Sequence, residues 1–387
     1  MATRKRRENG AGSIYKHGAL WVGKYCDGLN EDGTRHYAYI SAPLKADVRK
    51  KLQEIFEKQL EQGPGTLYTV ETYVKRWLII YKFPNLKQSS YDRLENTVLN
   101  QIIPEIGDVY LVKLTSDQIQ GLLTSLRARG MSYSSVKKVY DCLGAVFKHA
   151  MLCEDVQKNP MLRVKLPDKR LFPQKEITIF TEKEIALFKE ECLRMHSTGT
   201  PKYGSYGDAL LLMLCTGIRL GEVLGLQKVD INFKAKTMHV RRNVQSVQKR
   251  NSKGERQRGR DIVYTTTKTY SGDRVLPLNE NAISALRRLF SRHPESLYVV
   301  CQSDGTTPPP ERLERTFYRI LDNIHISRVG THTLRHTFAS ILFSKGVDVK
   351  TVSSILGHAS IQITLNTYIH LIEKVNHEAV RVMDEIL

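Results

Sequence analysis

A multidomain fold is predicted by two changes of hydrophobic period and one break. A short β-type stretch gives way to about 100 residues of helical period, and a proline-rich basic tract then precedes a mixed region running to residue 387. The expected architecture is a small three-stranded sheet plus helix, an all-α four-helix module, and a mainly helical α+β C-terminal region. Their boundaries are drawn at 1–64, 65–160 and 180–387, with 161–179 as a linker.

In the first segment GSIY, ALWVGKY and RHYAYIS are short aromatic or β-branched runs separated by Gly18 and the turn chemistry of DGLNEDG, which predicts three strands. Val48, Leu52, Ile55 and Phe56 then recur at helical spacing, an amphipathic helix suited to cover one sheet face, and Gly63-Pro64-Gly65 ends it. The second segment opens with Val70, Val74, Trp77, Leu78 and Tyr81 on one stripe. Its second helix runs from about Ser89 to Ile103, where Pro104 is expected to stop it. Thr115 and Gln118 form a capping box for the third, and Gly130 caps its end. The fourth carries Val136, Val139, Tyr140, Leu143, Val146 and Phe147.

Pro160, Pro167 and Pro173 among lysines and arginines show neither period and read as linker. Thr181 and Glu184 supply another capping box. The apolar helix DALLLMLC follows, then a strand-rich part with INF, KTMHVRR, DIVYTTTKT and RVLPL, and then three more helices. The run KRNSKGERQRGR at 249–260 is too polar to pack and is expected to be a mobile basic loop whose Lys249 and Arg250 touch a phosphate backbone.

The chain holds 59 Lys and Arg against 40 Asp and Glu, a formal charge of +19, so a polyanion is the expected partner, nucleic acid before a membrane surface. Arg4, Lys5, Arg6 and Arg7 add a basic cluster at the start. That start is followed by no apolar stretch, and the longest apolar run, Ala209–Cys215, is far too short to span a bilayer. Six cysteines stand singly, without C-x-x-C spacing, as expected of reduced thiols in a cytoplasmic protein.

Chemistry concentrates after residue 180. In HTLRHTFAS, His332 and His336 stand four apart, a spacing zinc hydrolases use, yet they frame Arg335, which cannot ligate a metal. Lying at the first turn of a helix, His332 and Arg335 suit an anion instead. In TGIRLGEVLGL, Arg219 emerges from an apolar surround with Glu222 three residues on, and must find a partner there. Lys268 precedes a predicted turn, His358 leaves a short helix capped by Gly357, and Tyr368 lies on the apolar stripe of the last one. Each alone has an ordinary reading: a solvated ion pair, a solvated lysine, a capping histidine, a core tyrosine.

Taken in order, TGIRLGE, TTTKTYSGDRVLPL, HTLRHTFAS and LGHASIQITLNTY resemble the tyrosine recombinase (phage integrase) family over about residues 180–387. The helical module is similar to the family's core-binding domain, and the sheet plus helix to the arm-binding domain of phage and conjugative-transposon integrases. The resemblance implies a site-specific DNA recombinase of a mobile element, with Arg219, Lys268, His332, Arg335 and His358 around the bond cut and Tyr368 as nucleophile. It further implies a 3′-phosphotyrosine intermediate, no metal, no cofactor and no ATP, with Lys268 protonating the leaving 5′ oxygen.

By the same reading Tyr368 loses its proton to His332 or to water, Glu222 orients Arg219 or His332, and His336 is a supporting or a core residue. The expected partners are double-stranded DNA at core-type and arm-type sites and an accessory directionality factor. Further copies of the chain should assemble as a tetramer that exchanges the tail after Tyr368. Three alternatives share parts of this pattern: a relaxing topoisomerase, a DNA-binding regulator that does not cut, and a zinc hydrolase, which would need a third ligand.

Overall fold

The computed structural model describes residues 13–29, 35–62, 68–173, 177–266 and 272–368. Two compact units divide it: one holds the described residues up to 173 together with Arg250–Gln257, and the other holds the rest.

The first unit begins with an antiparallel meander of β1 (Ser13–His17), β2 (Leu20–Leu29) and β3 (Arg35–Ala42), followed by α1 (Lys45–Gln62). Register fixes the faces: Tyr15 pairs with Val22 and Lys24 with Tyr39, while Gly23 pairs with Ile40 on the face that α1 covers with Val48 and Leu52. A Cβ at Gly23 would stand 2.8 Å from Val48, so only glycine lets the helix lie this close.

The helical module contains α2 (Val70–Trp77), α3 (Gln88–Thr97), α4 (Ile103–Ile106), α5 (Ser116–Ala128) and α6 (Tyr133–Leu152) around a core that includes Trp77, Tyr91, Leu123 and Phe147. The predicted stripe of its first helix and the predicted end of its second both need correction. Leu78–Lys82 and Val98–Ile102 are π-helical turns, each adding a residue to the backbone ring. The first rotates Tyr81 off the buried stripe, leaving it exposed; the second lets the chain continue past Ile102, so that Pro104 starts α4 instead of stopping α3.

The expected linker also differs. Met161, Val164 and Phe172 are buried in this same core, Ser116 donates to the Pro160 carbonyl, and the Gln120 amide exchanges hydrogen bonds with the backbone of Lys165. Residues 161–172 are therefore part of the module.

The second unit contains α7 (Glu182–Cys192), α8 (Ser205–Thr216) and α9 (Leu220–Gly225), then the strands β4 (Ile231–Asn232), β5 (Thr237–Val240), β6 (Arg242–Arg250), β7 (Arg256–Thr266) and β8 (Arg274–Pro277), apart from Arg250–Gln257, which belong to the first unit. It closes with α10 (Glu280–Arg292), α11 (Pro310–Asn323), α12 (His332–Ser344), α13 (Val349–Leu356) and a further helical stretch over 361–368. One sheet runs β4-β5-β8, and β6 pairs with β7. Nearly every side chain of α8 is buried, which explains its unbroken apolar run: it is the central helix, packed by α10 and α12.

The basic run at 249–260 is ordered, the second major departure from expectation. It spans the end of β6, the turn and the start of β7, and the Arg250 side chain is 3% exposed. Its guanidinium pairs with Asp92 and Glu95 and lies over the ring of Tyr91, while Gly254, with φ +83, sits against Phe83. A charged loop packs here because the surface it meets carries two carboxylates, so Arg250 is not free to touch a DNA backbone in this conformation. Lys249 is exposed. Arg4, Lys5, Arg6, Arg7 and Lys268 lie outside the described residues, as does the tail after Tyr368.

Candidate active site

Arg219 precedes α9 in the loop that follows Gly217. Gly217 ends α8 with φ +68, and a Cβ there would stand 2.5 Å from Phe338. Gly221 is equally constrained, since a Cβ would meet the Asn243 side chain at 2.3 Å and the Val244 carbonyl at 2.5 Å. These glycines let α9 turn sharply and lie on β6, which aims Arg219 outward at 34% exposure.

Beneath it Glu222, 3% exposed, accepts from Arg219 Nη1 at 2.7 Å and from Arg274 Nη2 at 2.9 Å. The same carboxylate accepts the backbone N–H of Arg219, so it fixes both main chain and side chain of that residue. Burial pushes Glu222 toward neutrality, but Arg274 and then Arg219 outweigh it and hold its carboxyl below the usual range. The ion pair expected for Arg219 and Glu222 exists, though as a buried triad with Arg274 rather than a solvated pair.

Arg335 occupies the first turn of α12 and is 3% exposed. Its two forks donate to the carbonyls of Gly217 at 2.9 Å and Leu356 at 2.7 Å, at the C-terminal ends of α8 and α13. Those ends carry the negative poles of their helices, which makes them suitable seats for a cation. Among the described residues no carboxylate pairs with Arg335. Burial, and then the charge of Arg219, lower its pKa, so the surroundings call for an anion.

The histidines stand around these arginines. His332 is open to solvent on one side; burial of the rest of the ring and then Arg335 and Arg219 depress its pKa. His358 leaves α13 after Gly357, φ +66, with Nδ1 2.7 Å from the Thr364 hydroxyl. Burial and the charges of Arg335, Arg219 and Arg274 push it down to about 4. Both rings are thus neutral near pH 7 while no anion is present.

Tyr368 is 1% exposed and packs on Phe343 beside Ala339, Val352 and Leu356. Its hydroxyl lies 2.8 Å from Nδ1 of His336. Burial raises the phenol to about 12 against the lowering influence of Arg335.

Five of the six residues expected to be catalytic, Arg219, His332, Arg335, His358 and Tyr368, therefore share one neighbourhood with Glu222 and His336. Arg274 was not singled out from the sequence: an arginine opening an edge strand reads as solvated, and its partner is 52 residues away. Its place one residue after Asp273, inside the block TTTKTYSGDRVLPL, was the available signal. Among the described residues no three His, Cys, Asp or Glu side chains converge where they could hold a metal ion, so a zinc site at His332 and His336 lacks a third ligand there.

Residues 180–374 match the model of the phage integrase family, and residues 69–127 that of the phage integrase N-terminal SAM-like domain. The chain belongs to the phage integrase family. It is a tyrosine recombinase, an enzyme that cuts and rejoins DNA at specific sites. Similar curated proteins include a tyrosine recombinase XerC-like protein of Caldanaerobacter subterraneus subsp. tengcongensis, 28% identical over 82% of this chain and 83% of its own length. The transposase from transposon Tn916 of Enterococcus faecalis is 24% identical over 84% and 75%. In fold the recombinase is similar to a Tn1549 transposon integrase solved with circular intermediate DNA (TM-score 0.63, 20% identity, 81% of this chain and 99% of that one). It is also similar in fold to lambda integrase solved as a tetramer on a Holliday junction (0.57, 15%, 94% and 96%).

Proposed function

We propose that this recombinase integrates and excises a mobile element by a 3′-phosphotyrosine mechanism in which Tyr368 is the nucleophile. The observation carrying this reading is Arg335, a buried cation held, among the described residues, only by helix-end carbonyls, with Arg219 and two neutral histidines around the same point. A scissile phosphate supplies the missing negative charge. Attack places further charge on the non-bridging oxygens, where fixed guanidinium donors act without reorganising. Removing one such donor typically costs about 10²–10³ in rate, or roughly 3–4 kcal/mol.

In the proposed step the Tyr368 oxygen bonds to phosphorus, the bond from phosphorus to the 5′ oxygen breaks, and that oxygen leaves protonated, with Lys268 as donor. The phosphotyrosine keeps the energy of the broken ester, so the 5′ hydroxyl of another strand reseals it without ATP. Glu222 holds Arg219 in its aiming geometry.

DNA binding extends beyond the catalytic region. The helical module is the core-type binding domain. The open face of the N-terminal sheet, where Lys24 lies 3.9 Å over the ring of Tyr37 with Tyr39 and Tyr15 exposed beside it, is the arm-type surface, joined by Arg4, Lys5, Arg6 and Arg7. A tetramer on DNA that exchanges the tail after Tyr368, a separate directionality factor, and a cytoplasmic location at the nucleoid complete the proposal. No helix among the described residues is long and apolar enough to cross a membrane.

The test is incubation with a nicked half-site duplex. Wild type yields a denaturation-resistant adduct that a chelator does not affect, and Tyr368→Phe yields none while still binding. An adduct that persists in Tyr368→Phe refutes the nucleophile assignment.

A further inference from the structure

His336 follows Arg335 on α12, and the structure gives it a specific neighbour. Its Nδ1 lies 2.8 Å from the Tyr368 hydroxyl, with ring centroids 5.7 Å apart and planes inclined at 61°. The phenol is 1% exposed, its partner histidine is half-buried, and among the described residues no other side chain hydrogen-bonds that hydroxyl. The other imidazoles are differently engaged: His358 Nδ1 is held by Thr364, and His332 stands at the solvent-exposed start of α12. Charges reaching the pair are Arg335 from α12, acting on Tyr368, and His358 from beyond α13, coupled to His336.

A phenol attacks phosphorus only as its proton departs, and a general base must lie within hydrogen-bond reach of that proton. We propose that His336 is a catalytic residue, the base that accepts the Tyr368 proton on Nδ1. As the Tyr368 oxygen bonds to phosphorus and the 5′ oxygen leaves, the proton passes to His336. On resealing, when the phosphotyrosine bond breaks, His336 returns it to the departing phenol. This requires the tautomer with hydrogen on Nε2, so that Nδ1 accepts. The inference rests on Tyr368 being the nucleophile.

The test uses the full-length protein in single-turnover cleavage of two nicked half-sites, one with the natural 5′ oxygen and one with sulfur in its place, a leaving group that needs no proton. In His336→Asn the amide oxygen takes the place of Nδ1 and keeps a hydrogen bond but holds no proton. It should bind DNA as wild type does and cleave both substrates about 10²–10³-fold more slowly, within the usual range for general-base loss. Its rate should climb about tenfold per pH unit between about pH 6 and 9, where wild type levels off.

Cleavage within about threefold of wild type, with an unchanged pH profile, overturns the proposal. So does full rescue of His336→Asn by the sulfur substrate, which would place the residue at the leaving group. If His336→Asn does not bind DNA, His336→Gly with added imidazole carries the test. A rate rising with imidazole supports the base, and a folded variant that imidazole does not rescue overturns it. Failure of the underlying reading shows separately, as an adduct in Tyr368→Phe.

Discussion

Replacing Arg274 by Met keeps most of the hydrocarbon stem and removes the charge that shares Glu222 with Arg219. Arg274 is 7% exposed and makes two bonds to Glu222, at 2.9 and 3.3 Å, one from Nε to the Ile355 carbonyl at 2.8 Å, and one to the Gly272 carbonyl at 3.2 Å. Breaking a buried pair by removing one partner costs about 3–5 kcal/mol; since Arg219 still holds one carboxylate oxygen, the lower end, about 3 kcal/mol, is expected here. The oxygen relieved of Arg274, Oε2, keeps the Arg219 backbone N–H and competes with the phosphate for the Arg219 guanidinium. Loss of one charge-assisted bond, about 1.5–3 kcal/mol, corresponds to cleavage slower by about 10–100-fold.

Both tryptophans, Trp21 and Trp77, lie in the first unit, so tryptophan fluorescence does not report on this site. Hydrogen exchange of peptides spanning 205–225 and 349–358 reads it directly, because the α8, α9 and α13 ends carry the carbonyls and carboxylate concerned. Glu222→Gln/Arg274→Met should recover part of the loss, since no unpaired buried charge remains. Protection in Arg274→Met within about 0.5 kcal/mol of wild type, or a double variant equal to the sum of the singles, refutes the triad.

Arg250→Ala should destabilise the first unit by about 3 kcal/mol or more, since it strands Asp92 and Glu95 around Tyr91, and should lower the melting transition seen by Trp77 fluorescence without altering the salt dependence of DNA binding. An unchanged transition with a shallower salt slope would restore Arg250 to the DNA surface. Glu222 supplies acid lability: its folded pKa is depressed, so its stabilisation is present above the unfolded value of about 4.3 and is lost as pH falls through the folded value; Glu222→Gln should flatten that loss in an acid unfolding series. His358, held near 4, and His332, also lowered, should gain protons when a phosphate offsets the arginine charges, so calorimetry in buffers of different ionisation enthalpy should show proton uptake on DNA binding near pH 6. Absence of uptake would mean that the anion does not reach them.

Local signals in the sequence predicted local structure well. The capping boxes Thr115–Gln118 and Thr181–Glu184 are formed as expected, and Gly130 and Gly357 have the positive φ of helix ends. The three strands and α1 follow from alternation and period. What the residues could not display was pairing over long separations. Arg250 looks solvated in its own sequence neighbourhood, and its partners are 158 and 155 residues away. The only local hint was Asp92 and Glu95, three apart on one helix face. The π-turns escaped for a related reason: LIIY supplies apolar residues at every position, so a slipped register costs the pattern nothing. His336 read as support or core because its partner, Tyr368, lies 32 residues on.

The site therefore joins two opposed conditions within one unit. Its cationic half, Arg219 and Arg335, is incomplete without an anion, since the only buried carboxylate joined to it among the described residues, Glu222, is already shared with Arg274. Its tyrosine, Tyr368, is satisfied at rest, hydrogen-bonded to His336 and packed among Phe343, Val352 and Leu356. The same short helix bears on both: the last carbonyls of α13, Ile355 and Leu356, receive Arg274 and Arg335, while Val352 and Leu356 form part of the wall around Tyr368.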